Sequence, residues 1–158
     1  MSQLSIVNLA DQYRELGEVG KTMRVQWQEN ESIAFVAKGR LYRNEFHINP
    51  GDEMIYMVKG EMRMYYRTVD GKEEIAAIPE GSVIRIPAGT PHSPRRAPET
   101  FTFVSERKRH EGEVDRFHWY CEKCDGFLHE EVFVVHDYRD DPVSKAYRRF
   151  FDNEEFRT

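Results

Sequence analysis

Two stretches decide the fold of this chain: R-N-E-F-H-I-N-P-G-D-E at residues 43–53 and G-S-V-I-R-I-P-A-G-T-P-H-S-P-R-R at residues 81–96. The first places His47 and Glu53 on either side of a turn-forming Asn-Pro-Gly-Asp run, and the second adds His92. Two imidazoles and one carboxylate are the ligand set that holds non-haem Fe(II) and leaves positions open for substrate and dioxygen. We therefore predict that these three residues bind iron, while the sequence by itself leaves manganese and nickel open.

The composition predicts one globular unit built from strands. The chain has 158 residues, of which 39% are hydrophobic and 13% aromatic, and a chain of this length can bury one sizeable core. Its apolar residues recur in short segments that alternate with polar residues, as in antiparallel strands with one buried face. We therefore expect an all-β architecture.

Charge and signal patterns bear on partners and location. The formal net charge of -5 argues against general nucleic-acid binding, which needs concentrated Lys and Arg. Residues 1–10 show no basic start followed by an apolar run, and no segment approaches the roughly 18 consecutive apolar residues of a membrane span. We expect a cytoplasmic protein without nucleic-acid or membrane partners. In that setting the pair Cys121-x-x-Cys124 favours metal or redox chemistry over a disulfide.

Hydrophobic spacing predicts many short strands and two helices. A loose helical pattern covers residues 4–16, and a second helical pattern covers residues 144–151. Strands are predicted at residues 23–27, 33–37, 41–47, 54–59, 61–69, 73–78, 82–86, 101–107, 119–124 and 127–135. Strands of this length and regular spacing, with turn sequences between them, are typical of a β-sandwich or barrel.

The paired motifs carry a resemblance to a superfamily. H-x-N-x-x-x-E at residues 47–53 and G-x-x-x-x-x-P-x-G-x-x-H at residues 81–92 resemble the two motifs of the cupins, with Asn49 where many cupins have a second histidine. The resemblance implies a jelly-roll barrel. We expect residues 1–113 to form this barrel together with the short N-terminal helix, and residues 114–158 to form a strand and helix extension packed on it.

A narrower resemblance covers most of the chain. The pattern Arg43-x-x-x-His47, Glu53, His92-Ser93-Pro94-x-Arg96, Ser105-Glu106-Arg107 and Trp119-Tyr120-Cys121-x-x-Cys124 resembles 3-hydroxyanthranilate 3,4-dioxygenases of the bacterial and fungal type. That resemblance implies an Fe(II) enzyme that opens a small aromatic ring with dioxygen and forms 2-amino-3-carboxymuconate semialdehyde. We also expect a homodimer.

The resemblance implies roles for two arginines. Arg43 and Arg96 match the family residues that hold the substrate carboxylate and the bound-oxygen region, so Arg43 is counted as both catalytic and substrate-binding. A planar guanidinium suits this role because it binds a carboxylate through two parallel hydrogen bonds. The alternatives are that Arg96 lies in a polar surface loop, and that Arg43 and Glu45 lie on the solvent side of their strand.

Glu106 matches a family glutamate that contacts the hydroxyl or amino group of the substrate. Its predicted strand places Glu106 on the same face as Thr102 and Val104, so it can point inward. The resemblance implies a catalytic and substrate-binding role in which the carboxylate acts as a general base. The alternative is an ion pair with Arg107 or Arg109.

Two departures from the family pattern leave questions open. The family commonly carries a second C-x-x-C that completes a four-cysteine metal site, but this chain has only Cys121 and Cys124, which cannot fill a tetrahedral shell. Either histidines such as His129 or His136 complete a second metal site, or no second metal binds.

The segments that border the substrate in the family also differ here. Family segments with P-V-G-N and G-G-P-N correspond to E-V-G-K at residues 18–21 and K-G-R-L at residues 38–41. The open alternatives are therefore a related aminophenol or hydroxybenzoate as substrate. A metal cupin without oxygen chemistry, either an isomerase or a small-molecule-binding module, is the other alternative.

Overall fold

The computed structural model describes residues 4–40 and 43–158, and it is dominated by strands. Two ten-residue helices, α1 (Leu9–Glu18) and α2 (Pro142–Phe151), flank them. The strands are β1 (Met23–Trp27), β2 (Ser32–Lys38), β3 (Phe46–Ile48), β4 (Glu53–Lys59), β5 (Met62–Arg67), β6 (Glu73–Ile78), β7 (Val83–Ile86), β8 (His92–Arg96), β9 (Phe101–Arg107), β10 (Asp115–Tyr120) and β11 (Phe127–Phe133). Short 3-10 turns lie at Tyr138–Asp140 and Glu154–Arg157.

The strands form two antiparallel sheets that pack on one another. The five-stranded sheet has the order β1-β2-β9-β4-β7, and the six-stranded sheet has the order β11-β10-β3-β8-β5-β6. One buried cluster joins strands of both sheets, because Ile55 and Val104 of the first pack with Met62, Met64 and Ile78 of the second. The prediction of an all-β barrel of the jelly-roll kind, with a short N-terminal helix and a C-terminal helix, is confirmed.

The N-terminal helix begins later than predicted. Asn8 caps α1, since its side-chain oxygen accepts hydrogen bonds from the amides of Ala10 at 3.0 Å and Asp11 at 3.1 Å. The helix therefore starts at Leu9 instead of residue 4, and it continues past Gly17. Helices α1 and α2 are each about half the length of the roughly 20 residues that a membrane span needs, and no other helix among the described residues is longer.

Among the described residues of the strand predicted at 41–47, only Phe46 and His47 are in a strand. Leu41 and Tyr42 lie outside the described residues, and regular pairing begins only at Phe46. Glu45 is fully buried and forms an ion pair with Arg43, so the solvent-side alternative is wrong for Glu45. Conversely, the second motif forms a true strand, β8, whose Arg96 pairs with Met62 of β5. Arg96 therefore lies in a sheet and not in a loop.

The segment after residue 113 adds two strands to the six-stranded sheet. β10 pairs with β3 over Arg116–Ile48, Phe117–His47 and His118–Phe46. β10 ends at Tyr120, so the strand predicted at residues 119–124 starts and ends earlier than expected. Trp119 on this strand is fully buried and stacks on Phe150 of α2 with 4.0 Å between ring centroids, which fastens the final helix to the barrel.

Candidate metal centre and substrate pocket

The three predicted metal ligands come together although they belong to different sheets. His47 on β3 and His92 on β8 are directly opposite one another in the six-stranded sheet. Glu53 is the first residue of β4 in the five-stranded sheet and reaches them across the barrel. One potential ligand atom from each residue lies within 4.8 Å of those of the other two, and all three residues are buried. Among the described residues this is the one group of three or more His, Cys, Asp or Glu side chains so arranged.

The turn between His47 and Glu53 sets the direction of the carboxylate. Asn49 Oδ1 accepts a hydrogen bond from the amide of Gly51 at 2.8 Å, and Asn49 O accepts one from the amide of Gly89 at 2.9 Å. These bonds tie the two motifs together at the site. The Asn49 side chain is buried and donates its amide hydrogen to Glu106, so it supports the site without belonging to the ligand group.

Each histidine uses one ring nitrogen for support, which leaves the other for a metal. His92 Nδ1 lies 2.9 Å from the carbonyl oxygen of Thr90, and His47 Nε2 lies 2.6 Å from Asp115 Oδ2. A carbonyl and a carboxylate oxygen only accept hydrogen bonds, so these two nitrogens carry the protons. The lone pairs of the neutral rings are then on His92 Nε2 and His47 Nδ1. Such support of a ligating histidine fixes its tautomer and orientation.

The contact between His92 and Glu53 fits a bound cation. His92 Nε2 lies 3.2 Å from Glu53 Oε2, so a neutral His92 would place a lone pair against a carboxylate oxygen. A proton or a metal ion between them removes that repulsion. Burial by itself would raise the pKa of Glu53, but its interactions with His92, His47 and Arg109 outweigh burial and lower the pKa to about 2. The set of two imidazoles and one ionised carboxylate therefore suits Fe(II).

Arg96 lines the same cavity as the three ligands and carries a charge without a carboxylate partner. Its Nη1 donates a hydrogen bond to the hydroxyl of Thr102, and no ion pair involves it within residues 4–40 and 43–158. Burial, together with the positive charge of Arg43, lowers the pKa of Arg96 to about 9. A buried cation of this kind is costly unless it meets an anion. A negatively charged group in the cavity would offset that cost.

Arg43 lines the cavity too, but its charge is already balanced. It forms an ion pair with the fully buried Glu45. Burial lowers the pKa of Arg43, but Glu45 more than offsets this and the net pKa is raised. The two predicted arginines therefore differ: Arg96 has a free charge, and Arg43 is held by its own partner.

Glu106 on β9 is buried within a ring of hydrogen-bond donors. Arg109 Nη1 lies 2.5 Å from Glu106 Oε2, and the hydroxyl of Tyr138 lies 2.8 Å from Oε1. Asn49 also donates to Oε2. Burial and the nearby charge of Glu53 raise the pKa of Glu106, although Arg109 acts in the opposite direction. Of the two ion-pair alternatives, Glu106 meets Arg109, because Arg107 instead binds Glu113 at 2.8 Å.

Two supporting residues, Asp115 and Tyr138, were not predicted from the sequence. Asp115 accepts hydrogen bonds from His47 and from Arg109, whose Nε lies 2.7 Å from Asp115 Oδ1, and Tyr138 bonds to both Arg109 and Glu106. One signal was available for Asp115. In D-R-F-H-W-Y it shares a strand face with Phe117 and Trp119, and an acidic residue on an apolar face needs a buried partner.

The cysteine pair is separate from this site. Cys121 is half-buried and Cys124 exposed, both are free thiols, and they lie in a turn closed by a 2.8 Å bond from the Cys121 amide to Gly126 O. No third ligand joins them among the described residues. His129 instead stacks on Phe156 at 3.8 Å. Neither His129 nor His136 is grouped with the two cysteines in the described part of the chain.

The segments that depart from the family pattern differ in their distance from the site. Lys38 and Arg40 line the cavity that holds the ligand group, whereas Lys21 is exposed and lines another depression. The cavity wall also contains apolar groups from both sheets, among them Phe35, Ile55 and Phe117. The Nζ atom of Lys38 lies 4.7 Å from the centre of the Tyr13 ring on α1, whereas the positive charge of Arg40 contributes to the lowered pKa of Arg96.

Comparison with known proteins identifies the family. Residues 5–151 match the family described as 3-hydroxyanthranilic acid dioxygenase. The chain is 34% identical over 157 residues to the 3-hydroxyanthranilate 3,4-dioxygenase of Bacillus cereus, a match that covers 99% of this chain and 87% of that protein. The enzymes of the same name from Shewanella woodyi and Neurospora crassa are 37% and 36% identical, over 84% and 82% of this chain and 69% and 71% of theirs.

Solved structures support the fold. A Bacillus halodurans protein superposes with a TM-score of 0.55 and 16% identity over 68% of this chain and 84% of its own. A cupin-2 domain protein from Shewanella frigidimarina superposes with a TM-score of 0.51 and 18% identity over 66% of this chain and 96% of its own. Proteins with little sequence identity therefore share the barrel. The sequence match over almost the whole length of the chain is to a much more restricted group of proteins. The chain belongs to the 3-hydroxyanthranilic acid dioxygenase family.

Proposed function

We propose that this protein is an Fe(II)-dependent dioxygenase that opens the ring of 3-hydroxyanthranilate with dioxygen to give 2-amino-3-carboxymuconate semialdehyde. The observation that carries the proposal is one cavity that joins the His47, Glu53 and His92 group to the unpaired cation of Arg96. The substrate needs both parts, since its hydroxyl and amino groups can bind a metal while its carboxylate needs a cation. Family membership supports the same activity.

The bound iron would supply adjacent coordination positions for the aromatic substrate and dioxygen, and the means to pass electrons between them. His47, Glu53 and His92 would hold it. All atoms of the substrate and of dioxygen appear in the product, so the reaction needs no further reductant.

Arg96 binds and orients the substrate in this proposal. Its guanidinium is a planar donor that matches a carboxylate, and the carboxylate relieves the cost of burying the charge. A charge-assisted hydrogen bond of this kind is worth about 1.5–3 kcal/mol. The charge of Arg43 is already neutralised by Glu45. Arg43 therefore acts mainly by shaping the part of the cavity where dioxygen would bind and by its electrostatic field there.

Glu106 accepts the proton of the substrate hydroxyl in this proposal. Its Oε2 is occupied by Asn49 and Arg109, whereas Oε1 has one donor, Tyr138, among the described residues. A carboxylate oxygen can accept two hydrogen bonds, so Oε1 keeps a free position for the substrate. General base catalysis typically contributes about 10²–10⁴ in rate. The apolar side chains of the cavity wall exclude water from the reaction.

A related aminophenol or hydroxybenzoate is the second candidate substrate. The presence of Arg40 in the cavity wall favours this alternative, because it adds positive charge beyond Arg43 and Arg96. A different anionic substituent on the ring would be attracted by it. The homodimer and the cytoplasmic location expected above are proposals as well, and light scattering of the purified protein tests the first.

The experiment that tests the function is anaerobic reconstitution with Fe(II), followed by oxygen-electrode measurement with a panel of aminophenols, catechols and hydroxybenzoates. We expect oxygen uptake in proportion to bound iron, with the highest kcat/KM for 3-hydroxyanthranilate. A higher value for another compound would select the second candidate. Binding of these compounds without oxygen uptake would contradict the dioxygenase proposal.

A further inference from the structure

Tyr138 reaches the site from the chain segment that follows the barrel strands. It begins the 3-10 turn Tyr138–Asp140, is 5% exposed, and lines the cavity that contains His47, Glu53 and His92. Its hydroxyl lies 2.8 Å from Glu106 Oε1 and 3.1 Å from Arg109 Nη2. The phenol therefore lies inside the site, although Tyr138 is 32 residues from Glu106 in sequence.

The directions of these two bonds follow from the chemistry of the groups. A guanidinium only donates, so the hydroxyl of Tyr138 accepts from Arg109. Its single proton is then directed to Glu106 Oε1. Burial and the charge of Glu106 raise the pKa of Tyr138 well above its usual value, so the phenol keeps this proton. The hydroxyl thus has one fixed orientation.

We propose that Tyr138 is a positioning residue for Glu106, which holds the carboxylate so that the remaining lone pair of Oε1 faces the substrate hydroxyl. The inference rests on the proposed function in which Glu106 accepts a proton. Asn49 and Arg109 hold Oε2 and by themselves would let the carboxylate turn about that oxygen. Tyr138 fixes the second oxygen, and two fixed oxygens define the plane of the group.

The surroundings of Tyr138 show that this position is rigid without its hydroxyl. Its backbone amide donates to Gln28 Oε1 at 3.2 Å, and its ring packs on Phe35 with 5.2 Å between centroids. Asp137 accepts a 2.7 Å bond from the amide of Arg139 and so caps the turn. None of these contacts uses the hydroxyl. Tyr138→Phe should therefore fold and keep the ring in place.

The test compares Tyr138→Phe with a matched variant. Tyr66→Phe is the control, because the Tyr66 hydroxyl also binds a glutamate, Glu74 at 2.5 Å, but on the exposed surface. We expect Tyr138→Phe to lower kcat for 3-hydroxyanthranilate by about 10- to 100-fold, a partial loss of the base contribution. KM and bound iron should stay within about twofold, since Arg96 and the ligands are untouched. Tyr66→Phe should match the unmodified protein in all three.

A double-mutant cycle separates positioning from direct action. When one residue acts through another, the effects of substituting the two on kcat are not additive. In the Glu106→Gln background, Tyr138→Phe should lower kcat by less than about twofold. A second full loss in that background, or no loss in the native background, would overturn the proposal.

A crystal structure of Tyr138→Phe provides a measurement that does not depend on turnover. We expect the Glu106 carboxylate to rotate away from its native plane. An unmoved carboxylate would overturn the positioning role, whatever the kinetics. If the unmodified protein does not open 3-hydroxyanthranilate, the proposed function fails, and this structure still decides whether Tyr138 positions Glu106.

Discussion

Glu53 and Glu106 lie directly opposite one another on β4 and β9, yet their surroundings shift their pKa values in opposite directions. The histidines lower the pKa of Glu53 to about 2, and burial raises that of Glu106. Like charges opposite one another in a sheet are unfavourable unless each has its own partner. Here one carboxylate serves the metal group, and the other is held by Arg109 and Tyr138. Neighbouring carboxylates whose pKa values are shifted in opposite directions are typical of sites in which each carboxylate has a different chemical role.

The first prediction concerns the metal. His47→Ala, Glu53→Ala and His92→Ala should each lose bound iron and activity while the barrel stays folded, because the core packs independently of the site. Iron analysis and circular dichroism of each variant check this. A variant that retains iron at the level of the unmodified protein would remove its residue from the ligand set.

Asp115 should tune metal affinity through His47. In Asp115→Asn the 2.6 Å contact to His47 Nε2 loses its negative charge, and loss of such a partner typically costs about 10- to 100-fold in metal affinity. Competition with a chelator measures the Kd. Asp70→Asn is the control, since Asp70 is exposed and binds Lys72 at 2.8 Å. Equal affinity in both variants would contradict the assigned role.

The cysteine pair should be dispensable for turnover. Cys121→Ser with Cys124→Ser removes two free thiols that have no third ligand nearby among the described residues. Catalysis per bound iron should stay close to that of the unmodified protein. If the double variant lost catalysis while iron content and fold were intact, the pair would have a role in the reaction.

Binding of the substrate carboxylate should depend on Arg96. Arg96→Ala should raise KM for 3-hydroxyanthranilate by about 10- to 150-fold, which corresponds to about 1.5–3 kcal/mol, and the effect should shrink for 2-aminophenol, which has no carboxylate. Glu106→Ala should instead lower kcat for both compounds, and Arg43→Ala should show both effects. Arg14→Ala on α1 is a control without contact to the cavity. Equal proportional losses on both compounds for Arg96→Ala would refute the carboxylate assignment.

The same arginine should limit stability. Burial and neighbouring positive charge lower the pKa of Arg96 to about 9, so the folded state disfavours its charged form and loses stability at neutral pH. Arg96→Met keeps the length of the side chain and removes the charge. We expect the free energy of unfolding to rise by about 0.5–2 kcal/mol, as is common when a residue that serves function at a cost in stability is replaced. Denaturant unfolding of the metal-free protein measures it, and a fall in stability would contradict the argument.

Local features of this fold could be predicted from the sequence, but contacts between residues far apart in the sequence could not. Strands β4, β5, β6, β7 and β9 follow from alternation and turns, and the ligand group was predicted from its spacing. The start of α1 depended on the Asn8 cap, and β8 was hidden because S-P-R-R reads as a loop until β5 pairs with it. Asp115 and Tyr138 meet His47 and Glu106 across 68 and 32 residues. No local pattern determines such a pairing, because it depends on how the sheets close.

Isotope labelling tests whether this site inserts dioxygen into an aromatic ring. The iron-reconstituted protein is supplied with 3-hydroxyanthranilate and ¹⁸O-labelled dioxygen, and the product is examined by mass spectrometry. We predict one labelled oxygen in the new carboxylate and the second in the aldehyde, trapped by immediate reduction before it exchanges with water. Oxygen uptake that leaves the product unlabelled, or a ring that stays closed, would show that the site is not a ring-opening dioxygenase.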